Sequence, residues 1–140
     1  MTRFVSNITD LNHAAAKLAD FIVQAVKRTI AAKTAATATL TAAEMINGIV
    51  RQSGTIGAQN TSTATAAALV AVIENCQVGS SFEFILMNTS DNTTTITAGA
   101  GVTLVGTVAV PTNKTQIYRG VVTAVDTPAV SLVGLLYAPA

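Results

Sequence analysis

Ser81-Phe82-Glu83-Phe84-Ile85-Leu86-Met87-Asn88 is where the sequence changes its period to two. Phe82, Phe84 and Leu86 fall on one side of an extended chain, and Glu83, Ile85 and Met87 on the other, because strand side chains alternate. Phe occurs only at Phe4, Phe21, Phe82 and Phe84. Two of the four therefore stand on one face of one strand, which marks that face as the core side. Further short strands follow at regular spacing. Thr93–Ala98 and Val102–Val105 flank Gly99-Ala100-Gly101, which reads as a hairpin turn. Val108–Val110 stops at Pro111, and Pro111-Thr112-Asn113-Lys114 is a turn. Gln116–Val125 and Ala129–Tyr137 are the longest strands, separated by Asp126-Thr127-Pro128. Such a run predicts a mainly β fold, an antiparallel β-sandwich or barrel-like body.

Upstream of Ser81 the body is mixed. Thr41-Ala42-Ala43-Glu44 fits a capping box and predicts a short helical turn that ends at Asn47-Gly48. Ile49-Val50-Arg51-Gln52 reads as a strand, and the Gly, Ser and Asn of residues 53–62 as a loop. Residues 63–75, rich in Ala and Val, predict a short packed helix that is apolar all round and so covered on most sides. Residues 34–41 are a small-residue connector whose Thr content favours an extended path.

Residues 9–33 read as an amphipathic helix, with Thr9 or Asp10 as cap. Leu11, Ala14, Ala15, Leu18, Ile22, Ala25, Val26 and Thr29 share one side; His13, Lys17, Asp20, Gln24, Lys27 and Arg28 lie opposite. Lys27, Arg28 and Lys33 complement the C-terminal end of the helix dipole. The stripe is narrow and Ala-rich, so its partner must come close: the body of the same chain, a sister helix or another protein. Leu11, Ala15, Leu18, Ile22 and Val26 are the candidate partner-interface residues. The chain thus divides into an N-terminal helical arm and connector, residues 1–38, and a β-rich body, residues 39–140.

Charge is sparse and uneven. Only 11% of the 140 residues are charged, against an apolar fraction of 50% and a usual charged fraction of about 25%. So few charges suit a surface that is largely covered in an assembly. Residues 1–33 hold five basic and two acidic side chains, net +3; residues 34–140 hold three basic and five acidic ones, net −2. Neither part has the basic patch that nucleic-acid binding needs. Within the body Tyr118-Arg119 is the only adjacent aromatic-basic pair, and one pair makes no stacking platform.

The residues that do chemistry are few. His13 is the only His and faces the polar side of the arm. Glu74, Glu83, Asp91 and Asp126 are scattered over a helix end, a strand and two turns, so no acid-base pair is expected. Gly99-x-Gly101 with Gly106 lacks the third Gly of a dinucleotide loop and opens a strand where that loop opens a helix. Cys76, the single Cys, can form no intramolecular disulfide and reads as a small buried hydrophobe. No catalysis, metal or cofactor is expected. No stretch of 18 apolar residues predicts a transmembrane helix, and the opening Met1-Thr2-Arg3-Phe4 lacks the apolar core of a signal peptide. The expectation is no nucleic acid and no membrane among its partners.

Four stretches carry a resemblance. They are Thr39-Leu40-Thr41-Ala42-Ala43-Glu44-Met45-Ile46-Asn47-Gly48-Ile49, Thr65-Ala66-Ala67-Ala68-Leu69-Val70-Ala71, Val78-Gly79-Ser80-Ser81-Phe82-Glu83-Phe84 and Ala98-Gly99-Ala100-Gly101-Val102-Thr103-Leu104-Val105-Gly106. In this order they resemble a domain of tailed-bacteriophage virion proteins, above all small capsid decoration (cement) and head-fibre proteins. The resemblance spans residues 39–137 and leaves the arm unassigned. It implies a compact, non-catalytic structural module on the capsid exterior. A homotrimer bound to the major capsid protein is the implied assembly. The alternative is a fibre or tail module with a receptor-binding tip.

Overall fold

In a computed structural model, which describes residues 28–54 and 57–135, ten strands form two mixed sheets, and two short helices accompany them. In chain order these are β1 (Ile30–Lys33), β2 (Thr37–Thr39), α1 (Ala42–Met45), β3 (Ile49–Gln52), β4 (Gln59–Ser62), α2 (Ala66–Val72) and β5 (Ser81–Asn88), followed by β6 (Thr94–Thr97), β7 (Val102–Gly106), β8 (Ala109–Val110), β9 (Lys114–Ala124) and β10 (Ala129–Leu135). The six-stranded sheet has the order β1-β3-β5-β9-β10-β7 and the four-stranded sheet β2-β4-β6-β8.

The first six strands alternate between the sheets. Each passage lays one strand in the larger sheet and the next in the smaller, then returns. As a result β1, β3 and β5 pair in parallel, as do β2, β4 and β6. Parallel neighbours need a long crossover, and α1 and α2 lie on the two return paths. Only β5–β9, β9–β10 and β6–β8 are antiparallel. The mainly β fold is as the sequence predicts, but the antiparallel arrangement is corrected to a mixed one. The alternation of side chains has the same period in both kinds of sheet, so it cannot distinguish them.

Local signals held where the chain itself satisfies them. Thr41 accepts from the Glu44 N–H at 3.3 Å, while the Glu44 carboxylate accepts from the Thr41 N–H at 2.8 Å, a complete capping box. The helix ends where Asn47 takes a left-handed φ of 55°. Gly48 follows because a Cβ there would stand 1.9 Å from the Glu44 carbonyl oxygen.

Four expectations are corrected. Residues 99–101 make no hairpin: β6 and β7 belong to different sheets. Gly99 donates to the Thr63 hydroxyl at 2.8 Å and the Ala66 N–H to the Ala100 carbonyl at 2.9 Å, which tie this corner to the start of α2. Residues 53–62 are not all loop, since Gln59–Ser62 is β4. Ile30–Lys33 is a strand, not the end of the arm helix, because it pairs along its whole length with β3. Arg28 and Thr29 are not helical either, and residues 9–27 of that predicted helix lie outside the described residues. Finally, α2 buries only Ala66 and Leu69; Ala67, Ala68, Ala71 and Val72 are exposed.

The core lies on the inner side of the larger sheet. Phe82, Phe84 and Leu86 of β5 point inward, with Tyr118 and Val122 of β9, Val130 and Leu132 of β10 and Val50 of β3. Ile96 and Val110 join them from the smaller sheet, and Leu40, Met45 and Leu69 from the helical side. Phe84 stacks on Tyr118 with ring centroids 5.0 Å apart. Phe82 lies over Gly120, its registered partner on β9, where a Cβ would fall 2.2 Å from the ring. One end of the interior is polar. Thr61 donates to Gln52 at 3.3 Å, Thr94 to Gln59 at 3.1 Å, and Asn88 to the Asn92 and Val110 carbonyls at 2.8 Å each.

Candidate interaction surface

The outer side of the six-stranded sheet is unlike an ordinary solvated face. Strand register sets its pattern. Ile30 of β1 lies beside Ile49 of β3, Ile49 beside Ile85 of β5, Ile85 beside Ile117 of β9, and Ile117 beside Leu135 of β10. All five side chains alternate with inward residues of their strands, so they share the outer face. They form an aliphatic row across five adjacent strands. At a strand spacing of about 4.8 Å the row is about 19 Å long. Ile30 is 70% exposed, and Ile117 and Leu135 are 42% exposed each. Ile49 and Ile85, in the middle, are half-buried by their neighbours.

The flanking rows stand two residues up and down each strand. On one side lie Ala32, Arg51, Met87 and Thr115; on the other lie Glu83, Arg119, Val133 and Val105. Within the second flank, Arg119 Nε donates to Glu83 Oε1 at 2.9 Å, and a terminal guanidinium nitrogen meets the same oxygen. The pair is half-exposed and is worth at most about 1 kcal/mol. Arg51 is exposed and makes no ion pair among the described residues. The face is therefore an apolar line between two partly charged flanks.

A second ion pair closes the first edge of the fold. Lys33 Nζ stands 2.8 Å from the Glu44 carboxylate, which joins β1 to α1. Burial alone would raise the pKa of Glu44. The hydrogen bond and charge of Lys33, with the bonds from Thr41, outweigh it and hold the carboxyl below its ordinary value. Burial pushes the Tyr118 phenol well up, and its hydroxyl has no hydrogen-bond partner among the described residues.

Among the described residues nothing else gathers into a chemical site. Glu74, Glu83, Asp91, Asp126 and Cys76 occur in no group of three or more metal-binding side chains among the described residues. Cys76 is partly buried against the core. No described helix is long and apolar enough to cross a membrane. The predicted interface residues Leu11, Ala15, Leu18, Ile22 and Val26, with His13, lie outside the described residues. Sequence reasoning missed the aliphatic row. Its one local signal was that β5 is apolar on both faces, through Ile85 and Met87.

No protein-family model, no curated protein and no solved structure matches the chain.

Proposed function

We propose that the chain is a structural protein of a tailed-bacteriophage virion. It decorates the capsid exterior, binds the major capsid protein, associates with its own copies as a homotrimer and performs no catalysis. The observation that supports this reading is the aliphatic row Ile30–Ile49–Ile85–Ile117–Leu135. A face with five large aliphatic side chains in line is characteristic of an interaction surface. It adds to the resemblance carried by residues 39–137. The mechanism is binding. Many small apolar and Thr contacts, spread over obligate interfaces of about 2,000 Å² or more, hold neighbouring capsomers together. The arm stripe of Leu11, Ala15, Leu18, Ile22 and Val26 anchors the protein to the capsid or locks neighbouring subunits together.

Cryo-electron microscopy of purified virions tests the reading. Hundreds of copies on the head support it. A few copies that fractionate with the tail would instead establish the fibre or tail module, and absence from the particle would refute both. Leu18→Asp should release the protein from heads while its melting temperature stays unchanged.

A further inference from the structure

We draw no further inference here: the strongest candidate, the outer face of the six-stranded sheet with Ile30, Ile117 and Leu135 exposed on it, carries nothing because nothing in the structure shows what covers it.

Discussion

The inner and outer faces of the six-stranded sheet are built from the same strands, yet they differ in how their apolar residues are arranged. Inside, aromatic and aliphatic residues of different shapes interlock: Phe82 over Gly120, Phe84 on Tyr118, Leu86 and Val122 beside them. Outside, nearly identical aliphatic residues stand in line. Irregular shapes fill a unique interior. A line of like residues has no such fit within one chain and suits repetition between copies. One face specifies the fold, and the other leaves Ile30, Ile117 and Leu135 exposed.

The contrast breaks first at Phe84. It is fully buried, so Phe84→Ala should cost about 3–5 kcal/mol, a transfer loss plus an unfilled cavity. Denaturant melts of the two proteins measure this cost. A loss below about 1 kcal/mol would mean that the core is not centred on the Phe84–Tyr118 stack.

Gly120→Ala probes the same face by overfilling it. The added methyl would collide with the Phe82 ring, and overpacking typically costs about 1–3 kcal/mol. Phe82→Leu should be partly rescued by Gly120→Ala, because the smaller side chain vacates the space. Additive losses in that double variant would show that the two residues do not share it.

Thr41→Ala removes a cap that belongs to neither face and should cost about 1 kcal/mol. Its partner Glu44 adds a pH signature. The folded state holds the Glu44 carboxyl below its ordinary value. Its contribution to stability is therefore present above the unfolded pKa and lost as pH falls through the folded one. Between about pH 5 and pH 3, Glu44→Gln should flatten the fall in stability relative to the wild type. An unchanged slope would remove Glu44 from the account.

The smallest expected effect lies on the outer face. Glu83→Gln breaks only the half-exposed pair with Arg119 and should cost the monomer no more than about 1 kcal/mol. If it proved more damaging than Phe84→Ala, the assignment of the two faces would be reversed.

Much of this was legible in the sequence. The capping box at Thr41–Glu44, the stop at Asn47-Gly48 and the inward side of Phe82, Phe84 and Leu86 rest on short-range rules that the chain obeys locally. β4 was not legible, because its inward residues are polar. Gln59 and Thr61 are buried only through their bonds to Thr94 and Gln52, from distant strands. β1 was hidden because the helical period of the arm runs on to Thr29 with no stop signal, while pairing with β3 decides Ile30–Lys33. The aliphatic row was hidden most deeply. Its five members are far apart in sequence at unequal spacings, and only strand register brings them into line.

Light scattering of the full-length chain tests most directly the proposal that the protein associates with its own copies. The account predicts three times the 14.3 kDa mass of one chain. A wild type that stays at the mass of one chain at every concentration would contradict it.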